Sequence, residues 1–76
     1  MEDNKKAEDI YEVTPRLLEI LEERNITQLQ LAKLTGVSQG AISRFDKNTQ
    51  HRDVNLFAIA EVLGIKIEEL FHVKKK

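Results

Sequence analysis

The feature that most constrains this chain is a pair of short helices separated by a glycine turn in the middle of the sequence. Thr27, with Gln30 three residues later, is typical of a capping box that begins a helix. Gly36 supplies positive φ without strain where that helix must end. Ser38 is a favourable N-cap for the next helix, only two residues further on. Two helices joined by so short a turn pack across each other at a steep angle.

The apolar residues of this unit stand where two crossed helices need them. At the crossing point the side chain should be no larger than a methyl group, and Ala32 meets that requirement. Larger apolar side chains should fill the wedge between the helices and the rest of the domain. The residues expected there are Leu31, Val37, Ile42 and Phe45. The spacing therefore predicts a helix-turn-helix.

Helical signals also surround this unit. We expect a helix from Thr14-Pro15 to Asn25, a third helix from Ser38 ended by Asn48, and a fourth capped by Asp53 or Asn55 and ended by Gly64. A last short helix is expected over residues 67–71. No strand alternation extends over four residues, so the prediction is an all-α fold of five short helices. We expect a flexible acidic N-terminal arm over 1–13, a helix-turn-helix domain over 14–73 and a basic tail over 74–76.

The charge of the chain is unevenly distributed. Lys and Arg number 12 against 13 Asp and Glu, which leaves a net charge of −1. Residues 25–52 nevertheless hold Lys33, Arg44, Lys47 and Arg52 against Asp46 alone, a local net charge of +3. A nucleic-acid interface is therefore expected in the middle of the chain.

Several classes of protein lack the residues they would need. The chain has no cysteine, and its two histidines are isolated, so we expect no metal site and no cofactor. There is no glycine-rich phosphate loop and no serine with a plausible histidine base, so an enzyme is not expected. No apolar run is long enough for a membrane span, and the first residues do not form a signal peptide. A soluble cytoplasmic protein is the expectation.

Residues 26–44 resemble the helix-turn-helix of Cro/repressor-type (Xre family) bacterial and phage regulators. They read ITQLQLAKLTGVSQGAISR, and residues 56–71, LFAIAEVLGIKIEELF, are similar to the fourth and fifth helices of that family. Two features depart from the family pattern. Asp46-Lys47-Asn48 stands where the family commonly has Glu-x-Gly, and the loop near residue 52 lacks a frequent proline. The resemblance implies a compact lambda-repressor-like domain that binds double-stranded DNA and regulates transcription, with a repressor expected.

The resemblance also assigns roles to individual positions. It implies that the third predicted helix enters the major groove, where base edges carry a readable pattern of donors and acceptors. The implied base contacts are Gln39, Gly40, Ser43 and Arg44, with Arg44 equally able to bind a phosphate. The implied phosphate contacts are Gln28, Ser38, Lys47, Asn48, Thr49 and Arg52.

Two further questions stay open at this point. The same fold could serve as a protein-interaction module, such as an antitoxin-like or anti-repressor partner, and the near-neutral total charge favours that alternative. The C-terminal end is rich in apolar residues, so we expect a homodimer contact at Ile67, Leu70 and Phe71. No small-molecule effector is expected, because 76 residues leave no room for a second domain.

Overall fold

A computed structural model describes residues 5–76, and its helices form the body of the domain. The expected helical class is confirmed, with a small antiparallel sheet added to it. The elements in chain order are α1 (Ala7–Ile10), β1 (Tyr11–Pro15), α2 (Leu17–Arg24), α3 (Gln28–Thr35), α4 (Gln39–Ser43), a first 3₁₀ helix (Phe45–Lys47), α5 (Asp53–Leu63), a second 3₁₀ helix (Ile67–Leu70) and β2 (Phe71–Lys75). None of the helices in residues 5–76 is long and apolar enough to cross a membrane.

The helix-turn-helix consists of α3 and α4, and its predicted local signals are confirmed. The Thr27 hydroxyl accepts a hydrogen bond from the Gln30 amide at 3.0 Å, and the Gln30 side chain accepts one from the Thr27 amide at 2.8 Å. Gly36 ends α3 in the left-handed conformation at φ 79°. The Ser38 hydroxyl accepts from the Ala41 amide at 3.1 Å and begins α4. Short-range chemistry therefore determines where both helices begin and where α3 ends.

The predicted start of the first helix is wrong. Thr14 and Pro15 belong to β1, and α2 begins two residues later without a side-chain cap from the preceding residue. Its first amides instead bind a carboxylate from the other half of the chain. Asp46 accepts from the Leu17 amide at 2.8 Å and from the Leu18 amide at 3.1 Å. A distant aspartate thus does the work of an N-cap.

Three other helix-end predictions have mixed outcomes. Asn25 adopts the left-handed conformation, φ 55°, as expected. Asn48 does not, because α4 passes into the 3₁₀ helix and Asn48 follows in extended conformation. Neither Asp53 nor Asn55 caps α5, whose N-cap residue is Arg52, with no side-chain hydrogen bond.

A two-stranded ribbon joins the two ends of the described chain. β1 pairs with β2 in antiparallel register, with Val13 opposite Val73. The expected flexible arm is therefore wrong for residues 7–13, which form α1 and the start of β1; residues 1–4 of that arm lie outside the described residues. The prediction of a basic tail is wrong for residues 74 and 75, which belong to β2. The two strands are some sixty positions apart in sequence, and neither shows a sustained hydrophobic alternation. The sequence therefore did not predict them.

The hydrophobic core lies between α2, α3, α4 and α5. Its buried residues are Leu17, Ile20, Leu21, Leu31, Val37, Ile42, Phe45, Ile59, Ala60, Leu63 and Leu70. All four residues expected in the helix-turn-helix wedge are among them, and Ala32 packs against them partly buried. Because these side chains fix α3 and α4 to the body, the polar side of α4 is held in one orientation towards solvent.

Candidate nucleic-acid interface

The polar residues of α4 and its cap lie on the surface. Gln39 is the first residue of the helix, and its side chain is exposed, as are those of Ser43 and Arg44. The Ser43 hydroxyl donates a hydrogen bond to the Gly40 carbonyl at 3.3 Å. The Ser38 hydroxyl is occupied as the helix cap. Among the predicted base contacts, Gln39 and Arg44 therefore keep long polar side chains available to a ligand.

Gly40 and Arg44 lie against each other on this helix. A Cβ atom added to Gly40 would stand 3.1 Å from Nη1, 3.3 Å from Nη2 and 3.5 Å from Cζ of Arg44. The guanidinium therefore covers the bare backbone of Gly40. Side chains on a helix lean towards its N-terminus, and this contact follows that direction over one turn.

The predicted phosphate contacts flank α4 on both sides in sequence. Gln28 is half-buried at the start of α3. Lys47, Asn48, Thr49 and Arg52 are exposed in the 3₁₀ helix and the loop after α4. Exposed positive charge and polar side chains thus follow α4 in sequence, and phosphate binding uses such groups.

A cleft of about 200 Å³ brings three of these residues together. Its polar lining consists of Arg44, Asn48, Gln50, His51, Arg52 and Asn55, and its apolar lining of Val37, Ala41, Phe45 and Ile59. Gln50 and His51 belong to the loop expected to straddle the DNA backbone but were not among the predicted contacts, and Asn55 was expected only as a helix cap. His51 is held in place by a 2.7 Å hydrogen bond between Nε2 and the Phe45 carbonyl and by ring contact with Phe45 at 4.0 Å.

The positive charges of this region make no ion pair with an acid of residues 5–76. Within residues 5–76, the ion pairs join Arg16 to Glu19 and Glu23, and His72 to Glu19, away from α4. Asp46, the one acid of the basic segment, is directed at the start of α2. Arg44, Lys47 and Arg52 are therefore exposed, and no ion pair within the described residues neutralises them.

The predicted dimer contact needs correction. Leu70 is 0% exposed, so its side chain belongs to the core and cannot meet a second copy. Ile67 and Phe71 pack partly buried against the same core. The neighbouring apolar residues that remain exposed are on the ribbon, namely Tyr11, Val13 and Val73. Most of the apolar side chains at the C-terminal end therefore pack against the core instead of forming a contact surface.

The sequence model of the Cro/C1-type HTH DNA-binding domain matches residues 16–76. The chain belongs to the Cro/C1-type HTH DNA-binding domain family. No curated protein and no solved structure shows a significant match to it. The match identifies residues 16–76 as a DNA-binding domain. It also confirms the resemblance that residues 26–44 indicated. The match starts at Arg16, so it includes α2–α5 and β2 but not α1 or β1.

Domains of this family are generally non-enzymatic, and the geometry of the Cro/C1-type domain is consistent with binding. In the part of the chain that the structure describes, no group of three or more His, Cys, Asp or Glu residues could hold a metal ion. The exposed residues of α4 offer hydrogen-bonding groups and positive charge.

Proposed function

We propose that this chain is a sequence-specific transcriptional repressor whose α4 reads base edges in the major groove of double-stranded DNA. The observation that carries the proposal is the exposed polar side of α4, with Gln39 and Arg44 available and the neighbouring cations unpaired. A DNA-binding domain can repress simply by occupying a site that another protein needs. Its place of action would be the cytoplasm of a bacterium or of a phage-infected cell.

The two long side chains of α4 suit different bases. The Gln39 amide can donate to N7 and accept from the N6 amino group of adenine in a bidentate pair, and the Arg44 fork matches O6 and N7 of guanine. Ser43 can bind either kind of edge. Phosphates on both sides would be held by Gln28, Ser38, Lys47, Asn48, Thr49 and Arg52, which fix the register of α4.

A second copy of the chain belongs to this proposal, because regulators of this geometry bind paired half-sites. We propose that the copies meet through the exposed middle of the ribbon, where Val13 and Val73 are 53% and 55% exposed and lie opposite each other. An isolated two-stranded sheet is marginally stable in water, so a cover over these side chains would stabilise it. The β1 end carries Glu8, Asp9 and Glu12, whereas β2 carries lysines, which allows acidic and basic strands of two copies to face each other.

One observation favours a second candidate function, a protein-interaction module. The outer side of α5 is apolar, and Phe57 is 66% exposed with Val54 beside it. Exposed apolar patches commonly mark protein interaction sites. The unpaired cations near α4 have no role in that alternative, so DNA binding remains the function we propose.

Salt dependence tests whether the basic surface near α4 binds DNA. Because each neutralised phosphate releases counterions, Lys47→Ala should lower the slope of log K against log salt by about 1. Lys33→Ala removes the same charge from the exposed side of α3, outside the proposed contacts, and should leave the slope unchanged. Fluorescence anisotropy over a range of salt concentrations gives both slopes. Equal slopes for the two variants would contradict the proposed interface.

A further inference from the structure

The contact between Arg44 and Gly40 determines where the guanidinium is presented. Arg44 stands near the end of α4, yet its guanidinium atoms lie 3.1–3.5 Å from the position that a Gly40 Cβ would occupy. Gly40 is the second residue of the helix and directly follows Gln39. The side chain therefore carries its charge back by about one helical turn, towards the start of α4.

No polar partner within the described residues holds the guanidinium in this position. Among residues 5–76, no hydrogen bond or ion pair is made by the Arg44 guanidinium, and the residue is exposed. The space itself exists because residue 40 has no side chain. With a Cβ present, the nearest guanidinium nitrogen would be closer than nine in ten real Cβ contacts, so the fork would have to shift by a few tenths of an ångström.

We infer that Gly40 is a positioning residue that holds the Arg44 fork beside the Gln39 amide, so that the two side chains read neighbouring base pairs. The inference rests on the proposed function and deepens it, since it assigns Arg44 to a base edge, guanine O6 and N7, rather than to a phosphate. The flat guanidinium keeps its donors in a fixed fork, and the bare helix surface beneath it leaves that fork free to enter the groove. Gly40 acts through Arg44 rather than by touching DNA first.

A double-mutant cycle on the preferred site tests this assignment. The wild-type chain first selects that site from a random duplex pool, and the affinities of Gly40→Ala, Arg44→Ala and the double variant are then measured on it. Gly40→Ala should weaken binding by roughly tenfold, the scale of one lost base contact. In the Arg44→Ala background the same change should cost nothing, because no fork remains to be displaced.

Two additional readouts separate positioning from damage to the fold. Gly40→Ala should raise the melting temperature, because alanine favours the helix, while it weakens binding. Base preference should relax at the base pair next to the one affected by Gln39→Ala. Arg44→Lys, which keeps the charge but lacks the fork, should relax preference at that same base pair.

The failures are distinguishable. If Gly40→Ala costs as much with Arg44→Ala as without it, the methyl group clashes with DNA directly and the inference is wrong. If Gly40→Ala leaves affinity and base preference unchanged, the inference is wrong as well. If the wild-type chain selects no preferred sequence, the proposed function itself is contradicted, and the inference falls with it.

Discussion

At the scale of single residues, Asp46 shows how one side chain can connect distant parts of a small fold. It is the one acid in the basic segment, and its carboxylate binds the first amides of α2. A carboxylate that would oppose DNA binding is thus directed at the start of α2, where its hydrogen bonds stabilise the fold. The departure from the family's usual glutamate at this position is therefore chemically mild.

Asp46→Ala should destabilise the domain by about 1–2 kcal/mol, because it leaves a part-buried amide at the start of α2 without an acceptor. The free energy of unfolding from urea titration measures the loss. Asp53→Ala is the matched control: it removes an aspartate from the first turn of α5 that makes no side-chain cap, and should cost well under about 1 kcal/mol. Equal losses for both variants would mean that the Asp46 contact contributes little.

The residue scale also shows what sequence could not reveal about the candidate site. Gln39 and Arg44 could be selected because the capping signals around them fix the helix, and the family resemblance supplied their roles. The lean of Arg44 onto Gly40 depends on a side-chain conformation, which no spacing rule encodes. The contact of His51 with the Phe45 carbonyl could not be predicted either, since a hydrogen bond to a backbone carbonyl leaves no signal in the sequence.

At the scale of secondary-structure elements, the sequence predicted a helix end correctly where the capping residue lies within one turn of that end. The box at Thr27, the glycine at residue 36 and the cap at Ser38 all act within three residues, and all were predicted. The ribbon escaped prediction because Tyr11–Pro15 and Phe71–Lys75 become strands only by pairing with each other. The burial of Leu70 likewise depends on tertiary packing.

The ribbon is fastened to α2 by a small polar cluster. Arg16 binds Glu19 at 2.9 Å and the Glu69 carbonyl at 3.3 Å, and His72 of β2 binds Glu19 at 3.0 Å. Hydrogen bonds from His72 and then from Arg16 hold the pKa of Glu19 below its ordinary value. The cluster therefore ties the last strand to the first core helix through one carboxylate.

This lowered pKa gives a pH-dependent contribution with a definite sign. A carboxylate whose pKa is depressed by folding stabilises the fold above its unfolded pKa, and that stabilisation is lost as the pH falls through the lowered value. Glu19→Gln should therefore melt below the wild-type chain at about pH 6, and the gap between them should be smaller at about pH 3. Glu22→Gln, on the exposed side of the same helix, should not show this narrowing. A constant gap between wild type and Glu19→Gln at both pH values would contradict the account.

At the scale of the whole molecule, the charge distribution determines how strongly the chain is attracted to DNA. A net charge of −1 gives little general attraction to a polyanion, so the unpaired cations near α4 must supply it locally. Weak non-specific binding and a larger share of affinity from matched base contacts follow from that arrangement. The basic segment found in the sequence thus coincides with the exposed surface on both sides of α4.

The homodimer prediction belongs to this scale. Val73→Asp places a charge in the exposed ribbon surface and should leave a monomer that binds the full site about tenfold or more weakly, since the second half-site no longer adds avidity. Phe57→Asp makes the same kind of change on α5 and should leave the dimer intact. Sedimentation at micromolar concentration, with and without DNA, reports both. Only monomers in the wild-type chain, or loss of the dimer in Phe57→Asp alone, would contradict the ribbon contact.

The central claim, that α4 reads DNA sequence, is tested most directly by selecting binders from a random duplex pool with the wild-type chain and with Gln39→Ala. The account predicts that the wild-type chain enriches one site, and that Gln39→Ala relaxes preference at a single base pair of it at a cost of about 1–3 kcal/mol. A wild-type chain that enriches no sequence, or a Gln39→Ala variant with an unchanged site and affinity, would contradict it.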